Sequence, residues 1–226
     1  MNKETDELVR EFVAGGGRPQ DWRPSYSVAP TNRVPIVREH LEDGDLIREL
    51  ELASWNFVPS WAKPGGHVNI NARLETIATN GLFRSAFISQ HCLVPMSPGY
   101  YEWQQVGDGK QPYLIHGDGR TLAAAGLYAA RKDGGSWKVG FTIITREARD
   151  ASGEIHDRMP VFLEEETWST WLDPTKVTDS DGTLAILEAS SSAIAAHLVT
   201  TPVDRKVNNV RTADPTDPTL VDPITI

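Results

Sequence analysis

The sequence predicts an α+β chain built on one antiparallel, barrel-like sheet with a few peripheral helices. Three observations point there. Short runs that alternate apolar and polar residues recur along the chain, Gly/Asp turns such as VGDGK, GDGR and KDGG separate most of them, and stretches with helical apolar spacing are few. The 226 residues, 39% hydrophobic and 23% charged, make one large domain or two small ones and suffice for a sizeable core.

The elements follow in order. Residues 3–14 place Leu8, Val9, Phe12 and Val13 at helical spacing, and Gly15-Gly16-Gly17 stops the pattern. After the linker GGGRPQDWRP, residues 33–39 and 46–56 alternate around a turn rich in Glu, Asp and Gly, as paired strands do. Further strands are expected at 92–95, 100–106, 111–116, 122–131 and 137–145. Helices are expected at 72–79, at 164–171 with its acidic first turn, and at 184–197 with Leu187, Ile194 and Leu198 as the buried stripe. The final DPTDPTLVDPITI carries three Asp-Pro steps and little periodicity. The expected organisation is therefore one domain over residues 1–211 and a loosely attached tail over 212–226.

The net charge of −9 argues against a polyanion partner by default, but the acidity is uneven. Residues 164–226 hold eleven acidic residues against four basic ones, whereas between Trp55 and Pro95 Lys63, Arg73 and Arg84 face only Glu75. A local basic surface is compatible with the total. Mean hydropathy is −0.36, and there is no apolar run near the ~20 residues of a spanning helix and no charged-then-apolar start, so a cytoplasmic protein without a membrane partner is expected. A single cysteine, Cys92, excludes an intramolecular disulfide and a Cys-rich zinc site and fits a reducing compartment.

Common catalytic signatures are absent from the sequence: there is no GxxxxGK[ST], no GxGxxG opening a helix, no HExxH and no GxSxG. Gly15-Gly16-Gly17 follows a helix rather than a strand, which disfavours a phosphate cradle. With no metal-ligand spacing and no dinucleotide loop, no cofactor and no metal is expected. What remains is a series of polar-aromatic clusters: YSVAPT, WNFVPSWAK, NINARLET, GYYEWQ, KQPY, FTIIT, IHDRMPV and VNNVR.

In order and spacing, from about residue 26 to 211, these clusters resemble the SRAP family, the abasic-site processing proteins that crosslink themselves to abasic sites in single-stranded DNA. The resemblance implies a β-rich domain with a positively charged cleft for single-stranded DNA, acting as a monomer in the DNA damage response, bound to the nucleoid when engaged. It also implies a nucleophile: a cysteine directly after the initiator methionine, exposed as a free N-terminus by self-cleavage in some members. Its amine and thiol condense with the ring-opened aldehyde, first as a Schiff base and then as a thiazolidine. This chain opens Met1-Asn2 where the family opens Met-Cys-Gly-Arg. A start placed downstream of the natural one is the expectation, with a natural variant that shields abasic DNA without crosslinking as the rival from a different class. A lyase or peptidase built on Glu102 and His156 is a third reading. Cys92, in HCLVP, is expected in the core and offers no α-amine, so it does not replace the missing residue.

The remaining site residues carry over one at a time. Asn71, in NAR, matches the asparagine that holds the nucleophile end and the opened sugar, the role favoured over that of an N-cap in a turn before a helix. Arg73 matches a phosphate grip suited to a guanidinium fork, against a solvated helix face. Glu102 matches the acid/base glutamate; strand alternation alone does not separate that role from a solvent-facing one. His156 matches a histidine suited to protonating the sugar ring oxygen. Arg158 matches a second phosphate contact, Thr145 a hydrogen-bond donor to the DNA backbone, and Arg84 a weaker electrostatic partner. Trp61 and Pro30 match residues that wedge beside the abasic gap and stack on neighbouring bases; both are also ordinary core or turn residues. Trp55, Trp103, Trp168 and Trp171 are assigned to the core. The stretch MSPG is one residue longer than the family form, which bears on the loop before Glu102.

Overall fold

The structure is a computed structural model that describes residues 1–12, 15, 19–62, 67–149 and 151–226. The sequence readings at Val13, Gly16, Gly17 and Lys63 lie outside the described residues.

Five strands close into a barrel. β1 (Arg33–Glu42) and β2 (Asp45–Trp55) form an antiparallel hairpin in which Glu42 faces Asp45. The two turn residues, Asp43 and Gly44, both have positive φ, 51° and 93°, as a type I′ turn requires. β4 (His91–Met96) runs antiparallel to both β1 and β7 (Leu122–Asp133). β7 returns through Gly134 and Gly135 into β8 (Ser136–Glu147), and β8 meets β2 in parallel at Ser54↔Gly140 and Trp55↔Phe141, closing the ring. Closure depends on Gly140, where a Cβ would lie 2.3 Å from the Asn56 carbonyl oxygen. β4 is buried on both faces, inside the barrel and under the helices, which is why HCLVP reads as an unbroken apolar run rather than an alternating one.

Helices seal the outside. α1 (Thr5–Phe12) buries Leu8 and Phe12, and Phe12 stacks on Trp168 of α3 (Glu165–Leu172) with centroids 4.6 Å apart. α4 (Ser180–Ala195) starts four residues before the expected position because Asp179 caps it, accepting from the Gly182 N–H at 2.9 Å. Its buried face holds Leu187 as expected, but also Ser190 and Ser191. Ser191 Oγ accepts from the buried Arg146 Nε at 2.8 Å, and Ser190 Oγ accepts from the Glu164 N–H at 2.8 Å.

Three local expectations are corrected. Residues 72–79 are not a helix: β3 (Asn71–Arg73) pairs in parallel with β8, and residues 74–79 form turns, so a sheet edge overrides a weak helical pattern. A single helical turn, α2 (Arg84–Phe87), and two short strands, β9 (Arg158–Pro160) and β10 (Val199–Pro202), were not anticipated; each is too short to show a period. The segment 212–226 is not loose. Leu220, 1% exposed, joins Leu114, Val203 and Val207 in a second small core. The Tyr26 N–H donates to the Pro215 carbonyl at 2.7 Å and the Ile224 N–H to that of Pro202 at 2.9 Å. The Asp-Pro step at 217–218 is itself structural: Asp217 caps a 3₁₀ turn whose first position takes the proline.

A second sheet carries part of the site. β5 (Gly99–Val106) and β6 (Gly109–His116) form a hairpin, and β10 adds to the far edge of β6. No helix among the described residues is long and apolar enough to cross a membrane.

Candidate functional site

A cleft of about 610 Å³ opens between the barrel and the β5–β6 sheet. It gathers Asn71 and Arg73 from β3, Glu102 from β5, Thr145 from β8, and His156 and Arg158 from the segment entering β9; Pro30 is also in its wall. Trp61 and Arg84 do not line it. Trp61 is 67% exposed, and Arg84 stands exposed on α2.

β3 shows how a three-residue strand builds a site. Successive side chains of a strand point to opposite faces, so Ala72 enters the core at 1% exposure while Asn71 and Arg73 both stay exposed at the cleft. Pairing of Asn71 with Ile143 and of Arg73 with Thr145 holds that edge on β8. Arg73 has no carboxylate partner among the described residues.

On β5 the alternation that left Glu102 open is resolved. Tyr101 faces the second core, its hydroxyl donating to the Tyr26 carbonyl at 3.0 Å, while Tyr100 packs towards Phe162 of the barrel. Glu102 lies half-buried in the cleft wall. Burial holds its carboxyl above the usual carboxylate range; His156 pulls the other way and Asp157 reinforces the rise. Trp103, expected in the core, is 36% exposed at the cleft, its indole N–H donating to Asn208 Oδ1 at 2.6 Å. That bond ties the VNNVR segment to the site, where Val210 is a further lining residue.

His156 is set by its backbone. Its N–H donates to the Ser152 carbonyl at 3.0 Å, and Gln104 of β5 reaches the neighbouring Glu154 carbonyl at 3.0 Å. The ring Nδ1 accepts from the Arg158 N–H at 3.0 Å. Nδ1 also lies 3.2 Å from the Arg158 carbonyl and 3.3 Å from Asp157 Oδ1, contacts that need a proton on that nitrogen. Nδ1 thus faces one donor and two acceptors, and which contact it uses depends on where the ring carries its proton.

Arg158 is clamped. Nη1 and Nη2 meet the two carboxylate oxygens of Glu75 at 2.7 and 3.0 Å, and Nη2 also donates to the buried Thr145 carbonyl at 2.7 Å and reaches its Oγ1 at 3.3 Å. The hydrogen bonds from Arg158 hold the Glu75 carboxyl below its usual range.

Met1 also lines the cleft. Its α-amine donates to the Ser25 carbonyl at 2.9 Å, and burial lowers the amine to about 5, leaving it uncharged near neutral pH. Asn2 is fixed by its N–H to the Ser97 carbonyl at 2.9 Å. Cys92, by contrast, is fully buried in β4, burial pushes its thiol up, and it is not among the lining residues. The MSPG stretch passes straight from β4 into β5 at Gly99. Among the described residues no group of three or more His, Cys, Asp and Glu side chains is placed to hold a metal ion.

A family profile described as SOS response associated peptidase (SRAP) matches residues 1–210. The chain belongs to the SRAP family. Similar SRAP relatives include the abasic site processing protein YoqW of Bacillus subtilis, 33% identical with 91% of this chain and 92% of that one covered. The abasic site processing protein YedK of Escherichia coli is 32% identical over 85% of this chain and 84% of its own. The abasic site processing protein HMCES of Gallus gallus is 31% identical, covering 86% of this chain and 65% of its own. Among solved structures, a protein from Bacteroides thetaiotaomicron superposes with a TM-score of 0.78 over 100% of this chain and 98% of its own at 22% identity, a likeness of fold. A phage-related protein from Bordetella bronchiseptica gives 0.68 at 29% identity over 90% of this chain and 92% of its own.

The raised Glu102 carboxyl makes a stability prediction for this SRAP chain. The native group binds its proton more tightly than the unfolded one, so its favourable contribution is complete below an ordinary carboxylate value of about 4.3 and is lost as pH rises through the raised native value. Glu102→Gln stays neutral throughout. Melting scans should show the variant more stable near neutral pH and the gain vanishing below about pH 4. A variant less stable at neutral pH would contradict the burial argument.

Proposed function

We propose that this chain binds single-stranded DNA at an abasic site, the opened sugar lying among Asn71, Glu102 and His156 and the flanking phosphates on Arg73 and Arg158. The observation that carries the reading is a half-buried carboxyl, held above its usual range, beside an imidazole in one cleft with two guanidinium groups. The names of the curated relatives support the lesion as the target.

Each group has a chemical part. With both ring nitrogens protonated, His156 gives its Nε2 proton to the ring oxygen as the C1′–O4′ bond breaks, and the C1′ hydroxyl gives its proton to water, leaving an aldehyde and a neutral imidazole. Asn71 hydrogen-bonds the aldehyde oxygen. When a primary amine adds to C1′, the protonated Glu102 gives its proton to the carbinolamine hydroxyl, which leaves as water while the nitrogen lone pair forms the C=N bond. Glu102, now a carboxylate, stabilises the iminium. A thiol on the adjacent carbon then adds to C1′, the C=N electron pair returns to nitrogen and the thiol proton passes to the Glu102 carboxylate, closing a neutral thiazolidine.

That last step needs amine and thiol on one N-terminal cysteine, and residues 1–226 contain only the buried Cys92. A second reading, for residues 1–226 by themselves, is a module that shields abasic single-stranded DNA without crosslinking it. Both readings require binding in the same cleft.

Fluorescence anisotropy with labelled single strands, with and without an abasic site, and with duplex DNA tests the binding. The abasic single strand should bind tightest, and log K should fall linearly with log salt at about −0.7 per phosphate neutralised. Arg73→Ala should flatten the slope by about that amount. A response flat in salt, or equal affinity for duplex DNA, would contradict the proposal.

A further inference from the structure

The two guanidinium groups at the cleft are not in the same state. Arg73 is exposed and has no carboxylate partner among the described residues. Arg158 has both ends of its terminal fork on the two oxygens of Glu75, at 2.7 and 3.0 Å. That parallel, two-bond arrangement is the one a guanidinium makes with two oxygens of a phosphate. The carboxylate thus occupies the position and neutralises the charge that a DNA phosphate would use.

We propose that Glu75 is an intramolecular stand-in for a DNA phosphate on Arg158, exchanged for it on binding and so setting affinity and salt dependence. The inference rests on the reading of the cleft as a single-stranded DNA site. The two partners are unequally held. The Arg158 side chain is 21% exposed and is anchored from behind by the Thr145 carbonyl at 2.7 Å, whereas the Glu75 side chain is 49% exposed on the turn that follows β3. Rotation of Glu75 into water leaves the arginine in place with its fork open. A half-exposed carboxylate is readily rehydrated, so the exchange meets little resistance. Arg158 Nε is buried without a hydrogen-bond partner and Glu75 does not use it, so the guanidinium retains a donor even in the paired state.

The exchange has a distinctive signature. When phosphate replaces carboxylate, Arg158 trades one anion for another and contributes little to net counterion release; with Glu75 neutral it contributes in full. Glu75→Gln should therefore tighten binding of abasic single-stranded DNA about two- to fivefold at low salt, the fold-change equivalent to an exposed ion pair. It should also steepen the log K against log salt slope by about 0.7. In an Arg158→Ala background the same substitution should change neither quantity. Thermal melts of each variant establish that the fold is retained.

Weaker binding by Glu75→Gln, or an unchanged slope, would overturn the inference and make Glu75 a positioning residue for Arg158. Persistence of the effect without Arg158 would overturn it equally, as a field effect of any nearby carboxylate. Those outcomes leave the binding reading intact, since the unmodified protein still binds. Failure of the unmodified protein and Glu75→Gln alike to bind single-stranded DNA overturns the binding reading and this inference with it.

Discussion

Glu102→Gln should slow covalent capture of an abasic site by about 10²–10⁴-fold, the range for a positioned general acid or base, while affinity for the same strand should be retained or slightly improved. The split follows from placement. Glu102 stands half-buried on β5 with its carboxyl biased towards the protonated form, which suits it to give a proton to a departing hydroxyl. It would contribute no positive charge to phosphate binding in the proposed DNA complex, and any ionised fraction would repel the strand. Glutamine keeps the shape and removes the transferable proton. The measurement is single-turnover adduct formation on denaturing gels, with this chain extended at its N-terminus by Met-Cys-Gly-Arg, alongside anisotropy on the same variants. Equal losses in rate and in binding would remove Glu102 from the chemistry and assign it a binding or structural part.

The second large effect is on folding. Gly99 opens β5 opposite His116 of β6, and a Cβ there would lie 2.0 Å from the Ile115 carbonyl oxygen and 2.9 Å from His116 Cβ. The clash is with the backbone of the paired strand, so it is not relieved by turning a side chain. Gly99→Ala should cost about 3 kcal/mol or more, the upper end for forcing atoms into a packed site, and lower the denaturation midpoint accordingly. Because β5 carries Glu102 and Trp103, abasic-DNA binding should weaken even at temperatures where the variant remains folded. A melt unchanged from the parent protein would show that the β5–β6 hairpin yields where its packing says it cannot.

Much of the barrel was legible in local chemistry. The turns at Asp43-Gly44 and Gly134-Gly135 adopt the positive φ that only such residues accept readily, so the hairpins they close could be read from turn residues and flanking alternation. Features that depend on distant partners were not legible. NAR has the composition of a helix start and becomes a strand only because β8 offers an edge. Asp-Pro steps in the last residues look like a chain without structure; their role as caps depends on the pocket that receives Leu220.

The same division runs through the site. Asn71, Arg73, Glu102, Thr145, His156, Arg158 and Pro30 were singled out by motif, and all seven line one cleft. Trp103 was assigned inward because aromatic residues on strands usually are buried. It stands exposed with its indole bonded to Asn208, more than a hundred residues away, a partner no local pattern encodes. Glu75 carried a signal that was passed over: it lies two positions after Arg73 as the only acid between Trp55 and Pro95. Met1 gave no signal, since its position depends on Ser25 and that of its neighbour Asn2 on the Ser97 carbonyl.

The most direct test of the central claim is a denaturing gel of abasic single-stranded DNA with this chain and with its Met-Cys-Gly-Arg extension. The extended protein should form a heat-stable adduct that depends on its leading cysteine, while residues 1–226 alone should bind the strand and release it on denaturation. An adduct formed by residues 1–226 unaided, or no adduct from either protein, would contradict the chemistry assigned to the cleft.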